Sequence, residues 1–254
     1  LEAIKWKAIL QPIEPVSWNQ AMRSVLGGVA LSFFTPNRVG EYMGRVLFLE
    51  NRHKWQGIMG TLVGNFSQLL ITSFFGISAM CYYLFQIRST PLLWSLLLIS
   101  LLIMCIPAYL YFHLDYVVHV SEKIPVLKKI SRYIRILHRF NKQTLWRIIQ
   151  LTAARYFVYT IQFVLLLHLF QIGLPGLTLI CCCWMIFWLM ALAPTIPIAE
   201  LGVRGQVAFY VLSPLSQQQA GILLATALLW GINLLVPALS GCFFLTRMKF
   251  FRGE

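Results

Sequence analysis

Apolar positions in this chain fall in long unbroken runs, without the alternation that marks half-buried strands or one-faced helices. Gly57 to Gln86, Pro91 to Phe112 and Ala220 to Thr246 contain no Asp, Glu, Lys or Arg. Ile148 to Phe170 contains one such charge, Arg155, and Leu174 to Ala193 contains none. A sixth run, Ser24 to Phe34, is short, though Ala21 and Met22 extend it. A helix needs about 20 apolar residues to cross a bilayer. The pattern therefore predicts an all-α, polytopic transmembrane helix bundle forming a single domain over residues 1–254. About six full spans are expected, with two short broken or re-entrant elements discussed below.

Composition narrows the class further. Hydrophobic residues make up 59% of the chain and charged residues 11%, which is too oily a surface for a soluble domain of 254 residues. The net charge of +13 would suggest nucleic acid in a soluble protein. Here the bases crowd between apolar runs, the pattern set by anionic lipid and the positive-inside rule, so no nucleic-acid partner is expected. Residues 113–147 carry Lys123, Lys128, Lys129, Arg132, Arg135, Arg139, Lys142 and Arg147 against Asp115 and Glu122. This stretch is expected to be cytoplasmic, in a multi-pass protein of the plasma or inner membrane, with Gln171 and Gln217 outside. Leu127, Ile130, Ile134 and Leu137 give it one apolar face, which predicts a helix lying on the membrane surface. Trp6 and Trp18 flank Lys5 and Lys7, so residues 1–20 are also expected at the interface. The chain opens with Leu1 and no signal-peptide pattern, which reads as a fragment lacking earlier helices.

Two charged segments do not fit a lipid-facing helix. Val39-Gly40-Glu41-x-x-x-Arg45 follows Pro36, and Ile198-Ala199-Glu200-x-x-x-Arg204 follows Pro194 and Pro197. Each precedes a short apolar run, and the two glutamates lie 159 positions apart. The topology sends the first inward and the second outward. That is an inverted repeat with broken helices, the device by which transporters build a midplane site. Charge at membrane depth is costly, so Arg38, Glu41, Arg45, Glu200, Arg204 and Arg155 are the candidate substrate-binding residues. Pro36, Gly40, Pro194, Pro197 and Gly202 are the candidate hinges. The plainer alternative is that each Glu–Arg pair neutralises itself and holds the halves together.

Thr35-Pro36-Asn37-Arg38-Val39-Gly40-Glu41-Tyr42-Met43-Gly44-Arg45 and Ile198-Ala199-Glu200-Leu201-Gly202-Val203-Arg204 resemble the two signature segments of a flippase-like family. That family includes the transmembrane region of lysylphosphatidylglycerol synthases. The resemblance covers most of the chain and implies a multi-helix membrane module that in some members moves lipids such as aminoacylated phosphatidylglycerol between leaflets. The second segment departs from the family's Pro-Gly-Gly-x-Gly-x-Arg-Glu pattern, with Ala199-Glu200 in place of glycines and Gly205-Gln206 after the arginine. No soluble aminoacyl-transferase segment accompanies it.

Other features are secondary. Gly57, Gly60, Gly64 and Ser67 form a small-residue stripe suited to close helix packing. Asn65, Gln68 and Asn233 serve either as interhelical hydrogen-bonding groups or as substrate contacts. Arg155 reads either as a snorkelling anchor or as a headgroup ligand. His53, His113, His119, His138 and His168 lack the spacing of a metal site, and the six cysteines lie in apolar runs without C-x-x-C spacing. No cofactor, metal or enzymatic chemistry is expected. The expected function is movement of a lipid or lipid-linked anion, an anionic phospholipid for example, between leaflets. The alternative is a membrane scaffold or regulator of a separate lipid-modifying partner enzyme.

Overall fold

The computed structural model describes residues 1–123, 135–193 and 197–246, and every regular element among them is helical. In chain order these are α1 (Glu2–Leu10), α2 (Trp18–Phe33), α3 (Gly40–Val46), α4 (Lys54–Gln86), α5 (Pro91–Phe112) and α6 (Leu114–Lys123). They continue with α7 (Lys142–Leu169), α8 (Gly176–Leu192), α9 (Pro197–Leu212), α10 (Gln219–Trp230) and α11 (Val236–Thr246). A π-helical turn at Gly231–Leu235 joins the last two. Short 3-10 turns at Pro36–Arg38, Asn51–His53 and Arg135–Arg139 punctuate the connections.

The helix starts follow ordinary capping chemistry. Ser17, Thr90 and Asn141 each accept a hydrogen bond from a backbone N–H three residues on, starting α2, α5 and α7. Pro91 sits at the first position of α5, where its missing N–H costs nothing.

Among the described residues, four helical stretches are long and apolar enough to span a membrane: Asn51–Gln86, Pro91–Phe112, Lys142–Leu169 and Gln219–Thr246. The other two expected spans are shorter. Ser24 to Phe34 falls in α2, of 16 residues, and Leu174 to Ala193 in α8, of 17. At 1.5 Å per residue both fall short of the roughly 30 Å hydrocarbon layer.

Two hydrophobic cores lie along α4. One gathers Trp6, Ile9, Val25, Val46, Val63 and Ile148, and the other gathers Met80, Tyr83, Phe163, Leu167, Trp188 and Leu229. Close backbone approach sets both. A Cβ on Gly60 would stand 2.6 Å from Ile9, and one on Gly76 only 2.2 Å from Trp188. The glycine stripe of α4 thus receives α1, and a separate glycine receives α8. Cys182 and Cys183 are wholly buried in the second core, and all six cysteines are free.

The N-terminal segment differs from its interfacial expectation. Trp18 is half exposed, but Trp6 is fully enclosed and Lys5 is buried. The reason is that α1 packs against α2, α4 and α7, where its charges find partners. Within the basic stretch, Leu137 is buried in the first core. Leu127, Lys128, Lys129, Ile130, Arg132 and Ile134, which carry most of the expected amphipathic helix, lie outside the described residues.

Candidate functional site

The first charged segment is shaped by a chain reversal at the end of α2. Thr35 leaves the helix, its hydroxyl accepts the Gly40 N–H at 2.7 Å, and Pro36 opens the 3-10 turn. Arg38 occupies the left-handed region at φ 56°, which costs a non-glycine residue about 1–2 kcal/mol. The chain then folds back so tightly that a Cβ on Gly40 would stand 2.2 Å from the Leu31 carbonyl oxygen. One on Gly44 would stand 2.4 Å from the Gly27 carbonyl oxygen. Only glycine lets α3 lie directly on α2, which fixes where Glu41 and Arg45 point.

Those two side chains enter a buried charge knot centred on Glu2. Arg45 Nη2 donates to Glu41 and, at 2.7 Å, to Glu2 Oε1. Glu2 Oε2 also receives Lys5 Nζ at 3.0 Å and Arg155 Nη1 at 2.7 Å. Arg155 Nη2 donates in turn to the Tyr159 hydroxyl at 3.2 Å, and the Arg45 guanidinium lies 5.3 Å from the Trp6 ring centroid. Three cations face two carboxylates, which leaves one net positive charge. The Arg45 side chain is 4% exposed, and its Nε has no hydrogen-bond partner.

A second knot joins the two charged segments. Glu200, near the start of α9, accepts Arg204 Nη2 through one oxygen and Arg38 Nη2 at 2.7 Å through the other. Two cations face one carboxylate, again leaving one positive charge. The Glu200 side chain is 6% exposed and that of Arg38 is 45% exposed. The Arg204 Nε is enclosed without a partner.

The six expected substrate-binding residues therefore divide. Arg38, Glu200 and Arg204 meet in one knot, whereas Glu41, Arg45 and Arg155 meet in the other. Both Glu–Arg pairs do bond internally, as the plainer reading of the motif requires, yet each also holds a partner from elsewhere in the chain. Among the expected hinges, Pro36 begins the reversal, Gly40 is a close-packing position, Pro197 opens α9, and Gly202 faces open space inside that helix. Pro194 lies outside the described residues.

Glu2, Lys5 and Tyr159 escape the sequence reading, although a signal for Glu2 exists. Arg155 sits alone in an apolar run and needs a carboxylate, and the chain has only eight acids to offer. Of the polar residues noted within spans, Asn65 and Asn233 bond between helices, and Gln68 does not. Asn65 donates to the Tyr42 hydroxyl at 2.9 Å and Asn233 to Gln162 at 2.8 Å, while Gln68 bonds Thr72 on its own helix.

The family model described as the lysylphosphatidylglycerol synthase TM region matches residues 1–241. No curated protein and no solved structure matches the chain. With the family's model spanning nearly all of it, and with four helices long and apolar enough to cross a bilayer, the chain belongs to the lysylphosphatidylglycerol synthase transmembrane-region family, a multi-pass membrane protein tied to lipid handling.

Proposed function

We propose that this chain is a transporter and not an enzyme: it moves an anionic phospholipid or lipid-linked anion between leaflets of the plasma or inner membrane. A headgroup leaving water must exchange its hydration for fixed polar partners, because an unpaired charge in hydrocarbon is costly. Arg38 and Arg204 offer planar forks that can each give a phosphate two hydrogen bonds. Glu200 holds both when no headgroup is present and can receive an amine when one is.

The observation that carries this reading is the Arg38–Glu200 bond, which brings segments 162 positions apart to one positively charged place. It also supports the inverted repeat. In each half a helix of 16 or 17 residues (α2, α8) precedes a Glu–Arg helix (α3, α9). On this reading α2 and α8 complete a set of six spans by sitting where the bilayer is locally thinned, and the basic stretch 113–147 faces the cytoplasm.

The scaffold reading keeps one specific support, the internal pairing of Glu41 with Arg45 and of Glu200 with Arg204. Reconstitution separates the two. Arg204→Gln and Arg38→Gln proteins, shown to be folded, are expected to lose movement of labelled phosphatidylglycerol across liposomes. Movement at the parental rate in both variants would leave the scaffold reading in place.

A further inference from the structure

Away from both charge knots, a cavity of about 170 Å³ opens beside α4. It lies on the helix face roughly opposite the glycine stripe. Met59, Leu62 and Phe66 of α4 form one wall, Leu110 and Tyr111 of α5 another, and Leu137 of the Arg135–Arg139 turn closes the end. Its lining offers almost no hydrogen-bonding group. The hydroxyl of Tyr111 is already spent, donating to the Leu145 carbonyl at 3.1 Å. Apolar cavities of about 150 Å³ stay dry and accept guests the size of benzene, so this one takes a short length of hydrocarbon and not a whole lipid.

The surroundings say where that hydrocarbon comes from. Helix α5 is the most lipid-facing of the long helices, with only 18% of its apolar window buried, and Leu98, Leu102 and Ile106 project outward. At its Phe112 end, Tyr109, Tyr116 and Trp146 are exposed, the aromatic signature of a membrane–water boundary. The cavity thus sits just below that boundary. The turn that contributes Leu137 is itself basic, carrying Arg135 and Arg139, with Lys142 and Arg147 following in sequence. Arg135 pairs with Glu122 at 3.0 Å and Arg139 donates to the Pro12 carbonyl at 3.2 Å, but both guanidiniums are exposed and keep donors to spare, while Asp115 is engaged by His138 at 2.5 Å.

We infer that this pocket is a lipid-binding site separate from the Glu200 knot. It takes one acyl chain of an anionic glycerophospholipid from the adjoining leaflet, whose phosphate meets Arg135 and Arg139. Hydrocarbon lining, a lipid-facing mouth and cationic charge at headgroup height are each required by such an occupant. Binding is the only readout, so the inference stands or falls independently of transport.

The test uses the full chain in phosphatidylcholine liposomes doped with phosphatidylglycerol that carries a diazirine in one acyl chain. Photolysis followed by peptide mapping should place adducts on residues 59–66 and 110–114 as well as on the outer face of α5. Leu62→Trp, which fills the cavity, should lower the former about tenfold, a loss of about 1.4 kcal/mol of binding, and spare the latter. Arg135→Gln with Arg139→Gln changes only exposed side chains, and should lower phosphatidylglycerol adducts severalfold without changing those from a diazirine phosphatidylcholine. Adducts confined to the outer face of α5, or unchanged by Leu62→Trp, would overturn the pocket. Equal response of the two lipids to the arginine changes would overturn its preference for an anionic headgroup.

Discussion

The knot around Glu2 and the knot around Glu200 each contain the same Glu-x-x-x-Arg pair, yet they differ in what they join and in how far they are enclosed. The first ties three helices together: α1, α3 and α7 each contribute a charge to it, and the Arg45 side chain is almost completely enclosed. The second joins a turn to one helix, and one of its two cations is nearly half exposed. A buried ion pair is weak evidence for stability, because desolvation offsets the attraction, but stripping one partner leaves a charge stranded. The consequence is that the motif alone does not decide its role.

The largest expected effect follows from the hub position of Glu2. Glu2→Gln leaves Lys5, Arg45 and Arg155 to share Glu41, and should cost about 3–5 kcal/mol, seen as a lowered unfolding midpoint in detergent. An unchanged midpoint would erase the distinction between a structural knot and a functional one. Next comes Arg38. Being partly solvated, Arg38→Gln should change stability by less than about 1 kcal/mol while slowing phosphatidylglycerol movement in liposomes as much as Arg204→Gln does. Normal transport with a large loss of stability would place Arg38 among the structural ties. The smallest effect belongs to the basic stretch: Lys128→Gln should leave both stability and transport near parental values. In the same region a cysteine at position 128 should react with impermeant reagent only from the cytoplasmic side, and cysteines at 171 and 217 only from outside. Reaction of position 128 from outside in intact cells would reverse the topology and the direction of both halves.

The legible part of this molecule was the part where chemistry contradicts its setting. Glu41, Arg45, Arg155, Glu200 and Arg204 stand out because they interrupt or border oil, and the structure ties each of them to another charge. The long helices α4, α5 and α7 were readable because an unbroken apolar run has few other solutions. Glu2 was not readable, since it sits in a mixed segment with Lys5, Trp6 and Lys7 that also suits a membrane surface. Its burial depends on the glycines of α4, more than 50 positions away, which admit α1. Division of the six charged candidates into two knots was equally hidden. Sequence spacing places Arg38 and Glu41 together, but the left-handed turn at Arg38 sends one toward Glu200 while Arg45 goes toward Glu2. The apolar run Leu174 to Ala193 overshoots α8, which starts at Gly176 after Pro175, whereas α2 begins earlier than its apolar run because the polar Asn19, Gln20 and Arg23 are also helical.

The contact between α2 and α3 constrains how the protein can move. Two neighbouring helices separated by side chains can slide, because rotamers absorb the change. Here main chain meets main chain at Gly27 and Gly44 and again at Leu31 and Gly40, and nothing soft lies between. A Cβ on Gly241 would likewise stand 2.0 Å from the Leu26 carbonyl oxygen, so α2, α3 and α11 are held as one stiff unit. Any flexing of this unit against α4 falls to the connection at residues 47–53, and Gly40, where the sequence suggests a pivot, has no room to bend.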